Sequence, residues 1–151
     1  MIKTFRGCLG DGAQQRIRLS TKKGKIGYRI VKFQIFFEQP GVDSQDSIVA
    51  IWKIKQTSVP TGNSIIDFAD GNLLGVAQAV QAASILYQQS EGPIIFDREI
   101  FNQDIYVTHT DQESASLRCN YYIELETINM SDNATIVSTL RDIRLNPQVG
   151  G

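Results

Sequence analysis

Hydrolytic chemistry by a serine or cysteine nucleophile needs a base within hydrogen-bond reach, and histidine is the side chain most often placed there. The chain has one histidine, His109, closing the run Ile105-Tyr-Val-Thr-His109. Ile105, Val107 and His109 share one face of that alternation, so a strand-end histidine with an ordinary hydrogen bond is expected. Glu124 and Glu126 are the acids closest to a glycosidase pair, which must flank the bond to be cleaved. Two acids at i and i+2 on one wet strand face are more simply two solvated side chains. Cys8 and Cys119 lie in no C-x-x-C pair and complete no zinc set with a single histidine, so both are read as buried free thiols. Asp67, Asp70 and Asn72 miss the spacing of a calcium loop, which leaves an Asx-rich turn. Gly7–Gly12 is followed by neither Lys-Ser/Thr nor a helical pattern, so a β-turn or bulge is expected instead of a phosphate loop. No Gly-x-Ser-x-Gly elbow, HExxH helix or dinucleotide fingerprint occurs. These residues point to a protein that binds or assembles, with no catalytic residue, cofactor or metal.

The elements that would position such residues are strands. Leu117, Cys119, Tyr121, Ile123 and Leu125 alternate strictly with Arg118, Asn120, Tyr122, Glu124 and Glu126, the pattern of an antiparallel strand with one wet face. Over Tyr28–Phe37, Val31, Phe33, Ile35 and Phe37 fall on one face, with Ile30 and Phe36 on the other, so cover on both sides is expected. Over Ile48–Gln56, Ile48, Ala50, Trp52 and Ile54 oppose Val49, Ile51, Lys53 and Lys55. Shorter strands are expected at Lys3–Cys8, Arg16–Ser20, Pro93–Phe96 and Asp104–His109, divided by Gly10-Asp-Gly12, Lys23-Gly24 and Gln39-Pro-Gly41 turns. Asp70–Ala83 is alanine-rich, and Leu73, Val76, Ala77 and Val80 recur at helical spacing, so a short helix or long excursion is expected there. Ser131–Arg144 reads as a helix: Ser131 caps it, Arg141 and Arg144 suit its C-terminal end, and Ile136, Val137, Leu140 and Ile143 form its stripe.

A length of 151 residues fits one domain, 1–151, able to bury its own core. The 15 Lys+Arg nearly balance 16 Asp+Glu, which argues against a phosphate-binding surface and so against a nucleic-acid partner. The basic runs Arg16–Arg18 and Lys22–Lys25 are expected at strand ends or turns. Thirteen Gln and seven Asn give a polar, weakly charged surface suited to close neighbours or to a sugar. No apolar stretch approaches the ~20 residues that span a bilayer, so no membrane partner is expected. Met1–Arg6 lacks a signal peptide's apolar segment, and folding in a cytoplasm is expected. The fold that accounts for all this is mainly β: an antiparallel β-sandwich, jelly-roll-like, with a short C-terminal helix.

Several segments together resemble a group of short proteins encoded by marine bacteriophages, including phages of abundant ocean bacteria and cyanobacteria. They are Lys3-Thr-Phe-Arg-Gly7, Arg16–Thr21, Gly27–Phe33, Ile95-Phe-Asp97, Phe101–His109, Asn120–Glu126 and Thr139–Arg144. The similarity runs over most of the chain, apart from Gln39–Asp46 and Leu74–Gly92. What the resemblance implies is a virion component, made in the host cytoplasm. A chain this small suits an accessory, capsid decoration or cement protein, self-associating as a homo-oligomer (a trimer) and binding the major capsid protein shell. The alternative is a tail- or fibre-associated module that binds host-surface carbohydrate, with Trp52, Tyr106 and Tyr122 as candidate binding residues. A third reading is an enzyme acting on carbohydrate.

Overall fold

The computed structural model describes residues 1–57, 66–82, 85–96, 98–113 and 117–130. Eight strands run through them: β1 (Ile2–Leu9), β2 (Gln14–Ile17), β3 (Ile26–Phe37), β4 (Gln45–Trp52), β5 (Leu73–Ala82), β6 (Ile85–Ile95), β7 (Ile105–Asp111) and β8 (Cys119–Asn129). They form two antiparallel sheets, three strands in the order β1-β8-β3 and five in the order β2-β7-β4-β5-β6. The mainly β, two-sheet expectation therefore holds. The helix expected over Ser131–Arg144 lies outside the described residues.

Alternation on β8 builds one wall of the core. Cys119, Tyr121, Ile123 and Leu125 are buried, while Asn120, Tyr122 and Glu124 stay half-exposed on the outer face. Ile123 and Leu125, with Phe33 and Phe37 of β3, share a cluster with Val49, Ile51, Ile105 and Val107 of the larger sheet, each at most 1% exposed. Burying one such side chain contributes about 1.5–3 kcal/mol, which makes this cluster the main support of the packing between the two sheets.

Strand β3 departs from the face assignment that strict alternation implies. Ile30 pairs with Leu125 and Lys32 with Glu124, so Val31 is an extra residue with no partner on β8, a bulge. One extra residue exchanges the faces of everything before it. Tyr28 and Ile30 thus turn inward with Phe33 and Phe37, whereas Val31 is 41% exposed. Ile30 needs no second layer to cover it. Only Phe36, at 58% exposure, remains an outward apolar residue of the kind the sequence pattern suggested.

The helix expected over Asp70–Ala83 is instead β5, a strand hydrogen-bonded on both sides to β4 and β6. Helical spacing of Leu73, Val76, Ala77 and Val80 is a coincidence of an interior strand, whose two faces are both apolar. Its small residues are placed by packing. A Cβ at Gly75 would come 3.3 Å from the Ile94 carbonyl oxygen of β6, with Phe33 Cδ2 and Ile51 Cδ1 at 3.6 and 3.7 Å, and Ala77 and Ala79 are buried beside it. Phe33 of β3 thus lies over Gly75 of β5. Two boundaries also differ: β2 runs over Gln14–Ile17 instead of Arg16–Ser20, and β4 begins at Gln45 and ends at Trp52.

Candidate functional site

His109 is not at a strand end. It lies inside β7, fully buried, with Nδ1 3.0 Å from Gly10 O and Nε2 2.8 Å from Ser47 Oγ. A carbonyl only accepts, so Nδ1 carries the proton and Nε2 accepts from the Ser47 hydroxyl. Gln45 Nε2 donates to Ser47 Oγ at 2.7 Å and to Arg118 O at 3.1 Å. This hydroxyl–imidazole–carbonyl chain has the distances of an activated nucleophile. Gln45, Ser47 and His109 are all 0% exposed, however, so no substrate atom reaches the hydroxyl in this arrangement. What the chain does is tie the β1–β2 turn, β4, β7 and Arg118 just before β8 together. Burial, opposed by the Gly10 and Leu9 carbonyls, holds His109 below the ordinary imidazole value. The signal for Ser47 and Gln45 was present but unread: they continue the inward series Val49, Ile51 by steps of two.

Trp52 and Tyr106 are cross-strand partners on the outer face of the larger sheet. Trp52 is only 6% exposed; its Nε1–H donates to Thr108 Oγ1 at 2.8 Å, and Tyr106 packs against the same apolar cluster. Tyr122 belongs to the other sheet and lies on its outer face, so the structure does not bring the three aromatic residues together. Tyr122 is engaged locally: its hydroxyl donates to Glu124 Oε1 at 2.6 Å, and Lys32 Nζ sits 5.9 Å from its ring centroid.

Around Tyr122 the outer face of the smaller sheet forms a trough. In register, Arg6, Tyr122 and Gln34 make one cross-strand row, and Cys8, Asn120 and Phe36 make the next. Both rows point outward, and the backbone of Gly7, Tyr121 and Ile35 runs between them. These nine residues line a cavity of about 790 Å³, which passes the β3 edge to reach Ala77 and Pro93. Gly7 is required below the trough, because a Cβ there would come within 2.8 Å of the Tyr121 ring and hydroxyl. Sequence reading found Tyr122 but missed Phe36, Gln34 and Arg6, because the partners of a cross-strand row are set by register, not by spacing.

The remaining candidates resolve as structure. Ala69 N donates to Asp67 Oδ1 and Asn72 N to Asp70 Oδ1, both at 2.9 Å, so this acidic segment is two Asx turns. Among the described residues no group of His, Cys, Asp or Glu has a metal-holding arrangement. Cys119 is buried as expected, and burial pushes its thiol up to about 12. Cys8 is only half-buried and faces outward, with Sγ 3.1 Å from Glu38 Oε2; burial and that carboxylate raise its thiol too. Arg16 is held by Asp104, whose carboxylate also accepts from the amides of Leu19 and Ser20 at 2.7 and 2.9 Å. Burial alone would raise Asp104; the Ser20 and Leu19 amides and Arg16 outweigh it and hold the carboxyl at about 2. No protein-family model matches the chain, and no curated protein or solved structure matches it either.

Proposed function

We propose that the chain is a bacteriophage virion structural protein, a capsid decoration or cement protein that self-associates as a trimer and attaches to the major capsid protein shell. The observation that carries this reading is the outer face of the five-stranded sheet. There Phe68, Ile94 and Val80 are 52%, 44% and 39% exposed, beside half-buried Ile48 and Phe96. An exposed apolar cluster of this kind is a contact surface in waiting, and a second copy of the chain is its occupant. Covering the exposed half of each large side chain contributes about 1 kcal/mol, or about 9 kcal/mol for three residues on each of three copies. A trimer takes two association steps at about 4–15 kcal/mol each, so this contribution is near the low end of the cost. Contacts this weak become firm when symmetry on a shell repeats them.

The winding of the strands supports the same reading. β1 and β2 pair with β8 and β7, and β3 and β4 return to those same partners. We infer a jelly-roll-like course, from which β6 departs by pairing with β5 in the larger sheet. Double-sheet rolls of eight strands serve viral capsid and lectin domains, and this support is one of fold analogy alone. The segments that resemble marine phage proteins add a second strand of support. A tail- or fibre-associated module that binds carbohydrate is the second reading, favoured by the trough on the opposite face.

The test is the mass in solution, by light scattering at micromolar concentration. A species near three times 16.8 kDa, reduced to one copy by Ile94→Lys, is the expected result. Co-sedimentation with empty phage shells then tests attachment. A wild-type monomer overturns the trimer, and a trimer indifferent to Ile94→Lys moves the contact elsewhere.

A further inference from the structure

We infer that the trough on the outer face of the three-stranded sheet is a binding site for an acidic saccharide. Among the described residues, the side chains of Arg6, Gln34 and Asn120 make no hydrogen bond or ion pair within the chain, yet all three line one cavity. A guanidinium and two carboxamides offer donors and acceptors together, the mixture that a polyhydroxylated ligand can satisfy and an apolar one cannot. Phe36 stands at the end of the second row with 58% of its surface exposed, a free aromatic face on which a sugar ring can lie. Tyr122 is not that platform, because Lys32 and Glu124 already occupy its ring and hydroxyl. It forms the wall between Arg6 and Gln34.

Charge selects within the sugar class. The acids nearest the trough are engaged: Glu124 accepts from Tyr122, and Glu38 is 2.6 Å from Arg118 and accepts the Cys8 thiol. Arg6 makes no ion pair among the described residues, and its planar fork fits a carboxylate with two parallel hydrogen bonds. A uronic acid places a carboxylate and vicinal hydroxyls on one ring. The trough has the dimensions for more than one such ring, since three adjacent strands span about 10 Å and successive outward rows are about 7 Å apart. Its volume of about 790 Å³ falls within the range of small-ligand sites. The site lies on the face opposite the apolar cluster assigned to self-association, so either proposal stands if the other falls.

The experiment is isothermal titration of the full chain with a set of uronic-acid oligosaccharides, using neutral gluco- and galacto-oligosaccharides for comparison. Uronic oligosaccharides are expected to bind, with neutral ones weaker. Phe36→Ala should lower affinity for the acidic set about tenfold. Arg6→Gln should abolish the preference for acidic over neutral sugars. Both side chains are exposed, so an unchanged melting temperature shows that the fold is intact, and Ile94→Ala on the other face should bind as wild type. The inference is overturned if no uronic oligosaccharide in the set titrates at millimolar concentration, if neutral sugars bind equally well, or if Phe36→Ala and Arg6→Gln bind as wild type.

Discussion

The bulge at Val31 makes a prediction opposite to the one that simple alternation makes. Ile30 is 1% exposed and Val31 41% exposed, whereas counting back by twos from Phe33 puts Val31 inside and Ile30 outside. Ile30→Ala removes buried methyl groups from a close-packed site, and such truncations cost about 2–5 kcal/mol. Taking about 3 kcal/mol, a domain near this length loses about 6–12 °C in Tm. Val31→Ala removes atoms largely in water and should stay within about 0.5 kcal/mol of wild type. The assay is urea unfolding followed by the fluorescence of Trp52, the single tryptophan and a buried one. The gentler Ile30→Val, worth about 0.5–1.5 kcal/mol, keeps the comparison readable if the alanine variant does not fold. Equal costs at the two positions, or a larger cost at Val31, would refute the bulge as the origin of the face exchange.

Asp104 has a folded-state carboxyl near 2, below its ordinary 3.8, so its contribution is present above pH 4 and disappears as pH falls through 2. Asp104→Asn should therefore cost on the order of 2 kcal/mol at pH 7 and flatten the acid limb of a stability–pH curve. An acid limb identical to wild type would show that the carboxylate is not held as described. His109 is depressed, so its neutral form favours folding: stability is full above pH 6.5 and falls as pH drops below it. With one histidine in the chain, urea midpoints of wild type should fall between pH 7 and 5 while those of His109→Gln change little. Parallel slopes for the two proteins would refute that assignment. Gly7→Ala forces a methyl against the Tyr121 ring and should cost about 1–3 kcal/mol in thermal unfolding, whereas a neutral result would mean the ring has room to move.

The legible parts of the fold were those where one face is wet and the other dry. β8 could be read residue by residue, because Glu124 and Tyr122 meet solvent while Ile123 and Leu125 do not. β5 could not, since β4 and β6 flank it and both its faces carry small or apolar residues, which erases the period of two. Its alanines look helical in isolation; Ala77 and Ala79 are instead buried in the core shared with Phe33, about forty positions away in sequence. The bulge was hidden for another reason: a single inserted residue leaves composition and spacing plausible in either register. At the trough, Tyr122 was visible as an aromatic on a wet face. Its neighbours Arg6 and Gln34 come from strands roughly a hundred residues distant, and only the pairing of β1 and β3 with β8 unites them.

The exposed edge of the smaller sheet has a consequence for how copies of the chain can meet. β3 is one of the two border strands of its sheet, β1 being the other, and an open strand invites a neighbouring chain to continue the ladder without limit. Here Tyr28 is already bridged to Phe101 through both backbone hydrogen bonds, at 2.7 and 3.0 Å, and Val31 breaks the repeat just beyond. Lys32 follows with its charge in water. A second copy arriving edge-on would find neither an unbroken row of amides nor a flat border. At the β3 border the bulge and the Phe101 bridge therefore work against the sheet being continued from one chain into the next.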